Sequence, residues 1–271
     1  MSLLIMTPCY GGKADTPNMK SGILLEAALT ELGVEHDWLL GTNESLVQRA
    51  RCEMIWQFMT ASDYAAGMWI DADIQYTAQQ VADLWNVLAV GTPQERDVVS
   101  GIYPMKKPYS DWYAAWKDGE LIKGPALEKI TEPTPIDLAG TGFMMFTRTA
   151  LEKLMVHLKR KSDIALAIRK QFIELYEAKH CDTLPKLQYD VLREMTDAME
   201  PYYEKQTGEI VPAMFKCPIH NGGLESEDYH FCRNIREAGM ELTLVPSARV
   251  VHWGQWAYGL YEHLKEGDEH L

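Results

Sequence analysis

Met68-Trp69-Ile70-Asp71-Ala72-Asp73-Ile74 places two carboxylates one residue apart at the end of an apolar run. Ala65 to Ile70 reads as a buried strand, so the chain leaves its sheet at Asp71. The carboxyl ends of strands are where open α/β sheets bind ligands. An extended Asp-x-Asp points both side chains to one side, and hard oxygen donors of this kind suit Mg²⁺ or Mn²⁺ held jointly with a substrate's phosphates. Acidic chains also produce Asp-x-Asp by chance, as a helix cap or a solvated turn. What favours the ligand site is the apolar run in front of the pair.

Outward from this stretch, strands alternate with amphipathic helices. Leu3 to Pro8 reads as a buried strand, followed by a Cys9-Tyr10-Gly11-Gly12 loop whose glycines let a ligand approach the backbone. A Gly-x-Gly-x-x-Gly fingerprint is absent, so a dinucleotide site is not indicated. Pro17 to Leu32 has the apolar spacing of a helix stopped by Gly33, and Val34 to Leu40 reads as a second strand. Thr42-Asn43-Glu44-Ser45 is a helix start, and Val47, Ala50, Met54 and Phe58 form the buried stripe that follows, flanked by Arg49 and Arg51. Beyond the acidic pair, Thr77 caps a helix with Val81, Leu84, Trp85 and Leu88 on one face, and Asp97 to Tyr103 is a further strand ending at Pro104. The pattern predicts an α/β fold with a mostly parallel central sheet flanked by helices on both faces.

The second half is less regular. Tyr103, Tyr109, Trp112, Tyr113 and Trp116 form an aromatic cluster suited either to stacking on sugar rings or bases or to packing a meandering loop. Asp137-Leu138-Ala139-Gly140-Thr141-Gly142 leads into a strand from Phe143 to Thr147, and a helix with Leu151, Leu154, Met155 and Leu158 comes next. Residues 159–203 read as an inserted helical pair, broken at Pro185, that covers a substrate or mediates self-association into a homo-oligomer. Glu227 and Asp228 open a helix that ends at Gly239, where acids favour the helix dipole by ~0.3–1 kcal/mol. Glu241 to Val245 and Ala248 to Val251 read as two strands separated by Pro246, with His252 ending the second.

Composition bounds the function. With 271 residues the chain forms a substantial core without disulfides, and its five cysteines are scattered, with no Cys-x-x-Cys pair, which fits a reducing compartment. The net charge of −13 argues against a broad nucleic-acid or anionic-membrane surface, leaving Lys106-Lys107 and Arg49-x-Arg51 as local basic spots. No signal peptide and no transmembrane segment is recognisable, so a soluble, cytoplasmic protein is expected.

Four features occur in order: Asp-x-Asp ending a strand, Gly-Thr-Gly before a strand, Glu-Asp opening a helix, and Val-Val-His-x-Gly after a strand. In this combination the chain resembles the GT-A-fold, nucleotide-sugar-dependent glycosyltransferases, especially bacterial and viral relatives of the large inverting family 2. The resemblance covers roughly residues 1–150 and 215–255 and implies one GT-A (Rossmann-like) domain over residues 1–271, with the helical insertion at 159–203. It implies a nucleotide-diphosphate sugar as donor and a glycan or other hydroxyl-bearing acceptor. Asp71 and Asp73, with Ala72 between them, match the motif that holds a divalent Mn²⁺ or Mg²⁺ on the donor diphosphate, and His252 matches a histidine that completes that site. Asp228, with Glu227 beside it, matches the general base acting on the acceptor hydroxyl with inversion. Thr7, Pro8 and Tyr10 fall where the first strand meets the nucleoside, Arg51 where a basic residue follows the nucleotide, and Gly140, Thr141 and Gly142 where backbone lines the donor sugar. The family's Asp-Asp-x-Ser after the second strand is missing, since Leu39-Leu40-Gly41-Thr42-Asn43 stands there. The alternatives are a retaining transferase with the same metal site, a phosphotransferase or phosphatase using the Asp-x-Asp, and a non-catalytic carbohydrate-binding module.

Overall fold

The computed structural model describes residues 2–42, 44–61, 63–106, 112–178, 202–204, 210–220, 223–254 and 257–258. In chain order it begins β1 (Ser2–Pro8), α1 (Thr16–Glu31), β2 (Glu35–Gly41), α2 (Val47–Ala61), β3 (Ala66–Ile70), β4 (Ile74–Gln75), α3 (Ala78–Leu88) and β5 (Val98–Ile102). A shorter-stepped middle follows with β6 (Trp112–Lys117), β7 (Glu120–Lys123), α4 (Gly124–Leu127), β8 (Thr134–Pro135), β9 (Leu138–Ala139) and β10 (Phe143–Thr147). The remainder is α5 (Arg148–Ala178), β11 (Tyr202–Glu204), β12 (Ile210–Pro212), β13 (Ile219–His220), β14 (Gly223–Leu224), α6 (Glu227–Glu237), β15 (Leu242–Arg249), β16 (Val251–Trp253) and β17 (Ala257–Tyr258).

The central sheet has seven strands in the order β2-β1-β3-β10-β5-β15-β8. The β1–β2, β1–β3 and β5–β15 pairs are parallel, whereas β10 runs antiparallel to both its neighbours and β8 antiparallel to β15. Side chains alternate between the two faces, as the pleat requires. Leu4, Met6, Trp69, Met144 and Phe146 pack with Met54 and Phe58 of α2, Leu151 and Leu154 of α5, and Phe231 and Ile235 of α6. Leu3, Ile5, Met68, Ile70, Phe143 and Met145 pack with Leu25 and Leu29 of α1 and Val81, Leu84 and Leu88 of α3. The result is a three-layer α/β fold with a mostly parallel sheet buried on both faces, as the apolar runs of β1, β3 and β10 require. No helix among the described residues is long and apolar enough to cross a membrane.

Local rules place several helix ends. The Thr77 side chain accepts from the Gln80 backbone N–H while Gln80 Oε1 accepts from the Thr77 N–H, a reciprocal cap that starts α3. At α2 the expected start comes too early: the helix begins at Val47, because the Glu44 carboxylate takes up the Leu46 N–H and the Arg49 guanidinium ahead of it. The expected break at Pro246 is absent as well. β15 runs through it as one strand, with a register irregularity between Leu244 and Arg249 on β5, and such a bulge tolerates a residue without an N–H. α5 is continuous from Arg148 to Ala178 and runs across Lys159. Most of the rest of the expected 159–203 insertion lies outside the described residues.

Candidate functional site

Asp71 is the first residue past β3. Its N–H donates to Gly142 O at 2.9 Å, and Ile74 N–H folds back onto Asp71 O at 3.1 Å. Asn18 of α1 donates through Nδ2 to Asp71 O at 3.0 Å and to Ile74 O at 2.9 Å, and Asp15 N–H donates to Ala72 O at 2.8 Å. The acidic pair therefore sits in a turn pinned from α1. The expectation of an extended Asp-x-Asp with both carboxylates on one side is corrected, since the turn sends Asp71 and Asp73 to different partners.

Asp71 meets Arg51. This arginine of α2 is 2% exposed, and its guanidinium lies 5.6 Å from the Phe215 ring centroid. Arg51 Nη2 donates to Asp71 Oδ1 and Oδ2 at 2.8 and 2.9 Å, and Nη1 donates to Asp228 Oδ1 at 2.7 Å, with Glu227 Oε1 at 3.6 Å. The end of β3 and the start of α6 are thus joined on one planar group. Burial opposes the Arg51 charge, but Asp71 and Asp228 outweigh it and hold the guanidinium protonated. One guanidinium against three carboxylates leaves the cluster negative. Asp228 is pushed above the ordinary carboxylate range, first by burial and then by the charges of Glu227 and Asp71, against the opposing pull of Arg51 and a hydrogen bond from the Thr141 hydroxyl. Ser226 caps α6 by accepting the Tyr229 N–H, so Glu227 and Asp228 stand in the first helical turn.

Arg51 was expected near the nucleotide, on the flank of the α2 stripe. Its burial was legible: Val47, Arg51, Met54 and Phe58 follow one another at helical spacing, so Arg51 occupies a core position and demands buried acids.

Asp73 meets His252 and Lys106. β16 pairs antiparallel with β4, opposing His252 to Ile74, and Trp253 N–H donates to Asp73 O at 2.8 Å. His252 Nδ1 is 3.0 Å from Pro104 O, an atom that can only accept, so Nδ1 carries the hydrogen and Nε2 faces Asp73 Oδ1 at 3.5 Å. Lys106 Nζ donates to the other oxygen of Asp73. Burial works against the Asp73 charge, but His252, when Nε2 carries a proton as well, and Lys106 prevail and hold its pKa at about 2. Among the described residues, no three His, Cys, Asp or Glu side chains gather as a ligand set for one ion. Asp71, Asp73 and His252 therefore do not meet around one point; Asp73 and His252 do. Their 3.5 Å spacing is long for a hydrogen bond and leaves the two side chains as neighbouring candidate ligands. A histidine whose second nitrogen is fixed by a backbone carbonyl is also the usual oriented ligand.

Gly140, Thr141 and Gly142 run beneath these groups. A Cβ on Gly142 would lie 2.6 Å from Asp71 Oδ2, and one on Gly140 would lie 1.9 Å from the Tyr103 hydroxyl. The two glycines make room for the buried Tyr103 ring and for the Asp71 carboxylate. Thr7 is buried and lines a cleft of about 520 Å³ with Cys9, Asn18, Trp38, Leu40 and Thr42, beside the carboxyl ends of β1 and β2. Pro8 is half-buried and Tyr10 is 75% exposed on the turn before α1. Of the aromatic cluster, Tyr103 and Tyr113 are core residues, and Trp116 donates through Nε1 to the Tyr229 hydroxyl at 3.0 Å. Tyr109 lies outside the described residues.

Fold and site together define an α/β domain with an acidic, arginine-braced centre at the carboxyl edge of its parallel strands. The chain is similar to solved structures of a protein from STIV, A197 (16% identity, TM-score 0.46, covering 94% of this chain and 86% of that one), and GalNAc-T7 with UDP, GalNAc and Mn²⁺ (12%, 0.43, 93% and 44%). It is also similar to a glycosyltransferase involved in the glycosylation of the major capsid of PBCV-1 (11% identity, TM-score 0.34, 56% of this chain and 63% of that one). No protein-family model matches the chain, and no curated protein does.

Proposed function

We propose that the protein moves a sugar from a nucleotide-diphosphate sugar to an acceptor hydroxyl on a GT-A-type scaffold. The observation that carries this reading is the convergence of two chemically distinct acidic centres at one sheet edge. Asp73 pairs with His252 on one side, Asp228 stands on the other, and Arg51 ties Asp228 to Asp71.

Breaking the bond between an anomeric carbon and a diphosphate releases an anion, and a Mn²⁺ or Mg²⁺ held by Asp73 and His252 would supply stabilisation of that charge. Lys106, already on Asp73, adds a positive side chain at the same place. The cleft beside Thr7 has the size and the apolar walls of a small-ligand site and is assigned to the nucleoside. Asp228 takes the proton of the acceptor hydroxyl. Its raised proton affinity suits a base, and attack from the face opposite the diphosphate inverts the anomeric centre. The phosphatase alternative draws no support from Asp71, whose carboxylate is turned with both oxygens onto the buried Arg51.

The test is incubation with a panel of UDP- and GDP-sugars, Mn²⁺ and simple hydroxyl acceptors, scoring nucleoside diphosphate release and the anomer formed. Release from at least one donor, with an inverted product, is expected. A retained product corrects the stereochemistry, and no release above buffer from any donor sinks the proposal.

A further inference from the structure

Both hydrogen bonds to the Asp228 carboxylate end on the same atom. Arg51 Nη1 lies 2.7 Å from Asp228 Oδ1, and the Thr141 hydroxyl donates to that oxygen too. Among the described residues, no hydrogen bond reaches Oδ2. Both donors are themselves fixed. Arg51 is 2% exposed, with its other terminal nitrogen on the two oxygens of Asp71, and Thr141 is fully buried on the segment that enters β10. The carboxylate cannot turn about its Cβ–Cγ bond without losing both bonds at once. Arg51 is enclosed by these acids and by Phe215, which takes it out of reach of a nucleotide.

We propose that Arg51 and Thr141 are positioning residues that immobilise Asp228 through Oδ1 and leave Oδ2 as the oxygen that receives the acceptor's proton. This rests on the sugar-transfer reading, with Asp228 as the base. In the step, the acceptor O–H bond breaks and its proton passes to Asp228 Oδ2. The acceptor oxygen bonds to the anomeric carbon, and the electron pair of the breaking carbon–oxygen bond leaves with the nucleoside diphosphate. The groups that set the proton affinity of Asp228 come from several elements: Arg51 from α2, Asp71 after β3, Tyr103 after β5, Cys217 between β12 and β13, and Glu227, Tyr229 and Cys232 from its own helix.

The experiment uses the full chain with Thr141→Val, Thr141→Ser, Arg51→Lys and Asp228→Asn. Carbon-13 NMR of aspartate-labelled protein follows the Asp228 carboxyl, identified by its loss in Asp228→Asn. Its titration midpoint is expected to rise in Thr141→Val and to return in Thr141→Ser, because the hydroxyl stabilises the ionised form. With the UDP- or GDP-sugar that the wild type uses best, kcat falls roughly tenfold to a hundredfold in Thr141→Val while KM for the donor stays within about twofold, and Thr141→Ser recovers. Arg51→Lys keeps the charge but loses the fork, so it lowers kcat with donor KM unchanged and serves if Thr141→Val does not fold. Transfer that survives in Asp228→Asn overturns the base assignment and this inference together. Transfer lost in Asp228→Asn, with Thr141→Val matching wild type in midpoint and kcat, overturns this inference alone.

Discussion

Replacing Arg51 with methionine removes the guanidinium from Asp71, Asp228 and Glu227 while keeping an unbranched apolar stem. The Asp71 and Asp228 side chains are 23% and 20% exposed, so water compensates little for the lost partner. Removing one partner of a buried ion pair costs roughly 3–5 kcal/mol. The repulsion left behind is of similar size: two carboxylates ~6 Å apart at an effective dielectric constant of ~20 repel by about 3 kcal/mol. For a chain of this length that lowers the midpoint of thermal unfolding on the order of 10 °C. The pH dependence identifies the cause. Asp228 already binds its proton more tightly in the fold than when unfolded, and losing Arg51 strengthens that preference. A carboxyl with a raised folded-state pKa costs stability as pH rises from its unfolded value through the folded one. The deficit of Arg51→Met against wild type should therefore be largest at neutral pH and shrink on acidification, as read by thermal unfolding at about pH 8 and about pH 5. A deficit equal at both pH values, or none, would refute the view that Arg51 holds the acids by charge.

Further outcomes follow from single contacts. Gly140→Ala puts a methyl 1.9 Å from the Tyr103 hydroxyl, so urea denaturation should show a loss of roughly 1–3 kcal/mol or more, and wild-type stability would contradict the close approach. His230 is held at a pKa of about 4 by burial and by Arg233 beside it. The unfolded chain binds that proton from about pH 6.5 downward, so stability falls as pH drops from about 6.5 to about 4, by roughly 3 kcal/mol, and His230→Gln should flatten this limb. Asp73→Asn and His252→Ala should each weaken Mn²⁺ binding, followed by electron paramagnetic resonance, by about tenfold or more. Undiminished binding in both variants would remove the pair from the metal site.

The sheet was legible because its strands obey simple rules. Leu3 to Met6, Ala66 to Ile70 and Phe143 to Phe146 are apolar on both faces, which only a central strand between helices satisfies. Pro246 misled because a proline normally ends a central strand, and the register irregularity that accommodates it has no signal in the sequence. The acidic pair was found, but not its orientation. Asn18, far away in the chain, supplies the hydrogen bonds that bend the backbone between Asp71 and Ile74. Arg51 shows a signal present and underweighted, since a cation on an apolar stripe implies buried acids. Gly140 and Gly142 were recognised as places of close approach, but the groups that approach are Tyr103 and Asp71 of the chain itself.

The most direct test of the account separates binding from transfer in Asp228→Asn. Calorimetric titration of UDP and GDP in the presence of Mn²⁺ is run beside a transfer assay with the donor the wild type prefers. The account predicts nucleotide affinity within a few-fold of wild type and transfer reduced by about a hundredfold or more. Transfer at the wild-type rate, or affinity and transfer lost together in a variant that remains folded, would contradict it.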